Sequence, residues 1–299
     1  MVGDGIRTGG GTPELTRELR ADYDAAAGDW AGGPGPMYAA LARSLVAAAP
    51  VPLAGRLVLD LGAGTGVAGR AALAAGARRV VAADLSEGML RRGRGGTPVV
   101  ADAVALPFRD GRFDLVLAAF CLNHLGHLEA GLAEARRVGA AIAASAFAPG
   151  WTHPAKDAVD GALRSFGYQP PGWYLALAPG SRAGHPDDLA ASAAAAGFTR
   201  VQVRTVSVPA GLATPAELVS WRLGMAHYAP FLRSLGPARR AAARRAAELA
   251  VAATPDQLAV STAIETTSGP SGIAAATARS AARRAAPRPA GSSERRNGA

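Results

Sequence analysis

A glycine-rich turn that follows a buried apolar run is the segment of the sequence best suited to hold a ligand. Leu57–Leu61 is apolar except for Asp60, and Gly62, Gly64 and Gly66 come after it. Glycine reaches positive φ without steric cost and allows a ligand to approach the backbone closely. The start of a helix after such a turn favours polar or negatively charged ligand groups. The segment therefore predicts a ligand site at the carboxyl end of a strand.

Three carboxylates at the ends of three successive predicted strands narrow the chemistry. Asp60 belongs to the first strand, Asp84 ends the second and Asp102 ends the third. Because the carboxyl ends of parallel strands meet at one edge of a sheet, we expect these side chains to converge. Such a set suits a ligand that carries ribose hydroxyls, an adenine amine and a cationic amino-acid group, whereas a pyrophosphate would be repelled.

The glycine turn also satisfies a second pattern. Gly64, Gly66 and Gly69 fit G-x-G-x-x-G, and Asp84 lies 20 residues after Gly64, where dinucleotide-binding folds have the acid that binds ribose. An NAD(P)-dependent oxidoreductase is thus an alternative. Asp60 argues against it, because a dinucleotide-binding fold usually has an apolar residue at that position.

Alternating apolar runs and helical segments predict the elements that must position these residues. The predicted strands are Leu57–Leu61, Val80–Ala83, Val99–Ala101, Leu115–Phe120, Ala140–Phe147, Phe198–Val208 and Gln257–Thr266. Helices are predicted over 12–27, 37–49, 187–196, 214–235 and 237–253, and a capping box at Thr214 and Glu217 opens the fourth. Several strands are continuous apolar runs, as in parallel strands covered on both faces, so we expect a doubly wound α/β sheet.

In their order and spacing, these motifs resemble those of the class I S-adenosylmethionine-dependent methyltransferases. The resemblance covers roughly residues 20–265 and is greatest to the branch of quinone-ring and other small-molecule methylases. It implies a mostly parallel, seven-stranded sheet with helical insertions, S-adenosyl-L-methionine as cofactor, and methyl transfer to an oxygen or carbon atom of a small molecule. One departure is the stretch 91–96, which is too rich in glycine for the family's usual second helix.

The resemblance also implies a role for each motif. Asp60–Gly66 would wrap the methionine part of the cofactor, Asp84 would bind both ribose hydroxyls, and Asp102 would bind the adenine amino group. Tyr23 and Asp24 match a Tyr-Asp pair that closes over the cofactor in this family. The cofactor-binding residues implied in this way are Tyr23, Asp60, Gly62, Ala63, Gly64, Gly66, Asp84, Leu85, Met89, Asp102, Ala103, Ala119 and Phe120.

Methyl transfer from a sulfonium needs little from protein side chains, because much of the rate can come from positioning and the exclusion of water. A phenol-like or enol-like acceptor can still need a proton removed. His124 follows the fourth strand, where this family holds its substrate, and is the candidate general base; a structural histidine is the alternative. Cys121 is the single cysteine and does not follow a proline, so we expect a buried thiol and no metal site.

The net charge is a weak guide to the partner. The chain carries +9, but six arginines against Glu294 put +5 of it on residues 266–299, which leaves +4 on the remainder. The fourth strand also lacks the Asn/Asp-Pro-Pro-aromatic motif of methylases that act on the adenine amino group. The sequence therefore favours a small molecule over a nucleic acid as the partner. A nucleic-acid methylase that uses the basic tail, and a cofactor-binding protein without activity, stay as alternatives.

Composition divides the chain into three segments. Residues 1–11 form a flexible N-terminus, 12–266 the methyltransferase domain and 267–299 a disordered basic tail. Insertions at about 148–185 and 210–254 would cover the substrate, and the first holds five of the 16 aromatic residues. No apolar run reaches the roughly 18 residues of a membrane span, and residues 1–11 lack the apolar core of a secretory signal, so we expect a soluble, cytoplasmic protein. The oligomeric state is not predicted.

Overall fold

The computed structural model describes residues 13–177, 182–209 and 211–254, together with the strand backbones at 261–262, 265–267 and 272–278. The predicted flexible N-terminus, 1–11, lies outside these residues, as does most of the predicted tail, 267–299. Among the described helices, none combines the length with the apolar composition that a bilayer-spanning segment needs.

Five neighbouring parallel strands form one side of the main sheet. They are β1 (Leu57–Leu61), β2 (Arg79–Asp84), β3 (Thr97–Val100), β4 (Leu115–Ala119) and β5 (Ile142–Phe147), in the order β3-β2-β1-β4-β5. Each overlaps a predicted strand, β1 has the predicted bounds, and β3 begins two residues before the predicted Val99–Ala101 and ends one residue before its end. The chain moves from β1 to β2 on one side and later to β4 on the other. A crevice therefore opens at the carboxyl ends of β1 and β4.

Helices surround this sheet and interrupt the chain between its strands. They are α1 (Pro13–Trp30), α2 (Gly35–Ala47), α3 (Val67–Ala74), α4 (Glu87–Arg92), α5 (Leu128–Val138), α6 (Pro154–Arg164), α7 (Gly172–Leu177), α8 (Pro186–Ala195), α9 (Pro215–Leu223), α10 (Ala229–Ser234) and α11 (Pro237–Ala252). The predicted capping box at Thr214 and Glu217 is confirmed at the start of α9. The single helix predicted over 214–235 is wrong, because the chain turns at Gly224, where it packs against Pro34 and leaves no room for a side chain.

The two faces of the sheet belong to two cores, which explains the continuous apolar runs. Val58 packs into the core that contains Leu41 of α2, whereas Leu57 and Leu59 pack into the core that contains Leu132 of α5. Alternate side chains of a strand point to opposite faces, so a strand covered on both sides needs apolar residues throughout. All five residues of β1 are accordingly buried, Asp60 among them.

The remaining strands depart from the prediction. The run predicted as one strand over Phe198–Val208 forms two, β6 (Arg200–Val206) and β7 (Val208–Pro209), and the predicted last strand contains β8 (Ser261–Thr262) and part of β9 (Glu265–Thr267). A further strand, β10 (Gly272–Ala278), lies between β5 and β6 and is parallel to both.

The described residues thus form eight strands in this sheet, where the resemblance implied seven. Strand β10 falls inside the segment predicted to be disordered. Its residues are mostly alanine, which has a low intrinsic preference for strands, so the local sequence gives no signal for it.

The glycines of the stretch 91–96 pack directly against the turn that follows β1. A Cβ on Gly66 would lie 2.6 Å from the Gly95 nitrogen, and a Cβ on Gly95 would lie 2.8 Å from the Gly66 Cα. Real Cβ atoms do not approach so closely, so both positions require glycine. The departure of 91–96 from the family pattern therefore has a local cause: α4 ends at Arg92, and a bare backbone is needed beyond it.

We expect Gly95→Ala to lower the free energy of unfolding by about 1–3 kcal/mol, because the added methyl group must push the two glycine segments apart. Gly161→Ala in α6 is the matched control. Gly161 is exposed and a Cβ there would meet no atom within 4 Å, so that change should raise the free energy of unfolding by about 0.5–1 kcal/mol. Urea unfolding of both variants measures the difference, and equal stabilities would contradict this packing.

Candidate functional site

A cavity of about 210 Å³ opens at the carboxyl ends of β1, β2 and β4. Its walls come from the glycine turn, from the residues after β2, β3 and β4, and from one face of α1. The predicted site residues that line it are Tyr23, Gly62, Ala63, Gly64, Asp84, Leu85, Met89, Asp102, Ala103, Ala119, Phe120 and His124. The other two predicted residues, Asp60 and Gly66, lie outside its wall.

Asp84 is fixed against the glycine turn by two backbone hydrogen bonds. Its Oδ2 accepts from the Gly64 N–H at 2.7 Å, and its Oδ1 accepts from the Ser86 N–H at 2.8 Å. Burial raises the pKa of this carboxyl, while the two amide donors act in the opposite direction. A carboxylate has about four lone-pair positions, so two remain for donors on a ligand.

The glycine turn leaves space on the side where Asp84 holds it. Gly64 has φ of 53°, and a Cβ at that position would meet no protein atom within 4 Å. Gly62 differs, because a Cβ there would lie 2.6 Å from the sulfur of Cys121. The open backbone at Gly64 next to a carboxylate with free lone pairs fits a ligand that carries hydroxyl donors.

Asp60, which was predicted to contact the cofactor, lies behind the turn, in the core and outside the cavity wall. Its Oδ2 accepts from the Gly69 N–H of α3 at 2.7 Å, and its Oδ1 has no partner among the described residues. Burial raises the pKa of Asp60 to about 7. The carboxyl therefore ties the first turn of α3 to β1 and shapes the turn from below. Gly66 likewise begins α3 and faces Gly95.

Asp102 is the exposed member of the three predicted acids. Its Oδ1 accepts from the Val104 N–H at 3.0 Å, which holds the chain in a tight turn after β3. Both Asp102 and Ala103 line the cavity on the side away from β4. Asp84 and Asp102 thus converge on one cavity as predicted, with the first carboxylate partly buried and the second exposed to water.

Phe120 has an unusual backbone at the end of β4. Its φ is 56°, in the left-handed region that few residues other than glycine adopt. The Phe120 N–H donates to the Ser145 carbonyl oxygen at 3.0 Å, and the ring packs against Phe147 and Tyr38, with centroids 4.5 and 5.1 Å away. This conformation turns the chain sharply, so that Cys121 and His124 both reach the cavity wall.

Burial shifts the titration of both side chains that follow β4. It lowers the pKa of His124 to about 4, so the imidazole is neutral at neutral pH. It raises the pKa of Cys121 well above its usual range, and the carboxylates of Asp84, Asp60 and Asp102 act in the same direction. Cys121 is therefore a protonated thiol, as expected for a residue that is not a nucleophile.

Helix α1 closes the cavity from above through polar contacts at three successive residues. The Asp22 carboxylate accepts from the Trp173 indole N–H at 2.7 Å, and the Tyr23 hydroxyl lies 3.1 Å from Nε2 of His124. Asp24 accepts from the Ser86 hydroxyl at 2.6 Å and from the Gly88 N–H at 2.7 Å. The same helix adds wall residues that the motif search missed: Leu15, Thr16, Leu19 and Arg20. Their spacing of four from Leu15 to Leu19 to Tyr23 was the available signal.

Comparison with known proteins matches the part of the chain that contains the glycine turn and the loops after β2, β3 and β4. Residues 58–140 match a family model described as a methyltransferase domain. Over these residues the chain is similar to methyltransferase domains. The chain is 47% identical over 97 residues to the demethylmenaquinone methyltransferase of Clavibacter sepedonicus. The aligned residues make up 30% of this chain and 39% of that protein. The corresponding protein of Thermobifida fusca is 44% identical over 105 residues, covering 32% and 44%.

Beyond residue 140 the likeness is one of fold. A protein of Anabaena variabilis, described as a methyltransferase from an antibiotic biosynthesis pathway, aligns over 71% of this chain and 84% of its own, with a TM-score of 0.51 and 18% identity. The chain spans less than half the length of the curated relatives it matches. These comparisons give no support to the NAD(P)-dependent oxidoreductase or to the nucleic-acid methylase.

We expect Asp60 to make the protein less stable as the pH rises from about 4 to about 7. The native state keeps the Asp60 proton over that range while the unfolded chain has lost it, so deprotonation favours unfolding. Asp60→Asn retains an oxygen for the Gly69 N–H and removes the titration. Above pH 7 the variant should be more stable than the wild type by on the order of 4 kcal/mol, with the difference vanishing near pH 4.

Unfolding in urea across this pH range tests the expectation. Asp157→Asn is the control, because Asp157 is an exposed acid on α6 and should give no comparable pH-dependent difference. A stability difference for Asp60→Asn that stayed constant with pH would contradict the assigned titration.

Proposed function

We propose that the protein transfers a methyl group from S-adenosyl-L-methionine to an oxygen or carbon atom of a small, apolar, ring-containing acceptor. The observation that carries this proposal is the cavity, which has a polar wall of glycine turn and carboxylates and an opposite wall of aromatic rings. Two of the relatives, matched over 30% and 32% of this chain, are demethylmenaquinone methyltransferases, which supports an acceptor with a ring.

We infer that the polar wall holds the cofactor. Asp84 would bind the ribose hydroxyls with the lone pairs that Gly64 and Ser86 leave free, and the exposed Asp102 would bind the adenine amino group. When bound, the cofactor supplies an electrophilic methyl group on a positively charged sulfur. The residues that would surround the adenine and the methionine parts are Leu85, Met89, Ala103, Gly62, Ala63, Ala119 and Phe120.

The aromatic wall suits the acceptor. Tyr23, Trp30, Tyr38 and Phe120 line the cavity and follow one another with ring centroids 5.6, 5.4 and 5.1 Å apart. A flat apolar ring would pack against such a series and displace water from the methyl group. Positioning and exclusion of water are the main contributions that this reaction needs from the protein. His124 is the polar side chain on this wall that could contact an oxygen atom of the acceptor.

We also propose a substrate cover formed by α1 together with the insertions at about 148–185 and 210–254 of the domain 12–266. Two contacts support it. Trp173 and Leu177 of α7 belong to the first insertion; the Trp173 indole donates to Asp22 of α1, and Leu177 lines the cavity. The 3₁₀ turn Ala226–Tyr228 of the second insertion packs against α1 as well. The acceptor would enter when α1 and α7 separate.

We expect Asp84→Asn to weaken the binding of S-adenosylhomocysteine by about 10- to 100-fold, because a hydrogen bond to a charged group contributes about 1.5–3 kcal/mol. Isothermal titration calorimetry measures the loss, and Asp157→Asn on the exposed face of α6 should bind as the wild type does. The wild type should also gain thermal stability with S-adenosylhomocysteine but not with NAD or NADP. Unchanged affinity in a folded Asp84→Asn protein would overturn the cofactor assignment.

A further inference from the structure

The hydrogen bond between Tyr23 and His124 determines which nitrogen of the imidazole carries the proton. Tyr23 Oη lies 3.1 Å from His124 Nε2, and the structure gives the Tyr23 hydroxyl no other partner among the described residues. Burial raises the pKa of Tyr23, so the phenol keeps its proton. Because a buried hydroxyl proton without an acceptor is costly, Tyr23 donates this proton to Nε2.

A neutral imidazole carries one N–H, so a histidine that accepts at Nε2 holds its proton on Nδ1. The Nδ1 atom of His124 is buried and has no partner in the part of the chain that the structure describes. The opposite tautomer would leave two groups unsatisfied, the Tyr23 hydroxyl proton and the Nδ1 lone pair. The tautomer with Nδ1–H leaves one, and that one is a donor.

We propose that His124 acts as a hydrogen-bond donor, through Nδ1–H, to an oxyanion on the ring of the methyl acceptor, and that Tyr23 is the residue that fixes this tautomer. This role differs from the general base expected from the sequence, and it rests on the proposed function. The ring of His124 lines the cavity, held edge-on between Tyr23 and Trp173, with centroids 5.6 and 6.4 Å away.

A hydrogen-bond donor at Nδ1 of His124 would determine the chemical class of the acceptor. A donor stabilises a phenolate or enolate oxygen more than the oxygen of a neutral phenol, because a hydrogen bond to a charged acceptor is the stronger one. The acceptor would therefore bind already ionised, as an acidic phenol or enol whose negative charge lies next to the atom that receives the methyl group. The positively charged sulfur of the bound cofactor would favour the same ionised form.

The tautomer is tested first by two-bond ¹H–¹⁵N correlation spectra of the full chain, labelled in histidine and saturated with S-adenosylhomocysteine. His124→Gln identifies the His124 signals by their loss. We expect a protonated Nδ1 and an unprotonated Nε2 in the wild type, and a mixture of tautomers in Tyr23→Phe. A protonated Nε2 in the wild type would overturn the proposal.

The oxyanion is tested with 4-nitrophenol as the probe, whose visible absorbance distinguishes phenol from phenolate. With S-adenosylhomocysteine bound, the wild type should bind the phenolate at least about tenfold more tightly than His124→Leu, since the lost hydrogen bond is to a charged group. His124→Gln, which keeps an N–H donor, should recover part of this affinity. A base at this position would instead favour bound neutral phenol.

The results of these experiments distinguish a failure of the donor role of His124 from a failure of the proposed function. If the wild type binds no S-adenosylhomocysteine, the proposed function fails. If it binds S-adenosylhomocysteine but binds 4-nitrophenol as the neutral phenol, equally well in His124→Leu, or not at all, only the donor role of His124 fails.

Discussion

The hydrogen bond from the Gly64 N–H to the Asp84 carboxylate is the contact on which the site depends. This bond joins the turn after β1 to the end of β2, at the carboxyl ends of these two neighbouring strands. Asp60 repeats the arrangement one layer deeper, where it accepts from the first turn of α3. A buried carboxylate and a partly buried one thus hold one glycine turn from two sides, and removal from water raises the pKa of both. Removing these carboxylates from water is electrostatically unfavourable. In return, they accept hydrogen bonds from backbone N–H groups at the turn without adding side chains that would fill the cavity.

Helix α1 covers part of the carboxyl edge of the sheet and forms one wall of the cavity. It contributes no strand and makes no part of the glycine turn, yet three successive residues, 22–24, reach α7, the turn after β4 and the start of α4. Because two of these contacts involve carboxylates and one involves a neutral imidazole, the closure is polar, while Leu15 and Leu19 supply apolar wall beside it. Tyr23 and Trp30 of the same helix add aromatic rings to this wall, so the closure has both polar and apolar parts.

The sequence predicted those parts of the fold whose signal is local. Continuous apolar runs located β1 to β5, since a strand buried on both faces must be apolar along its length. The capping box at Thr214 located the start of α9, because it too is a local signal: it depends on two residues, Thr214 and Glu217, that are close in the sequence. The contacts that could not be predicted join distant residues: Asp24 with Ser86, Trp173 with Asp22, and Gly95 with Gly66. Asp60 was predicted to contact the cofactor because its position in the motif was known, but which side of the turn it occupies depends on the packing of α3.

The carboxylates around Cys121 have a consequence for the chemical survival of the protein. In the proposed site this sulfur lies against Gly62, in the same wall that would carry the methyl donor. A thiolate there would compete with the acceptor and become alkylated, since the anion is the nucleophilic form of cysteine. Burial is the main reason that the pKa of this thiol is raised and the sulfur stays protonated, and the carboxyl groups of Asp84, Asp60 and Asp102 act in the same direction. In the proposed site, the carboxylates that favour the positively charged methyl donor would therefore also help to prevent methylation of Cys121.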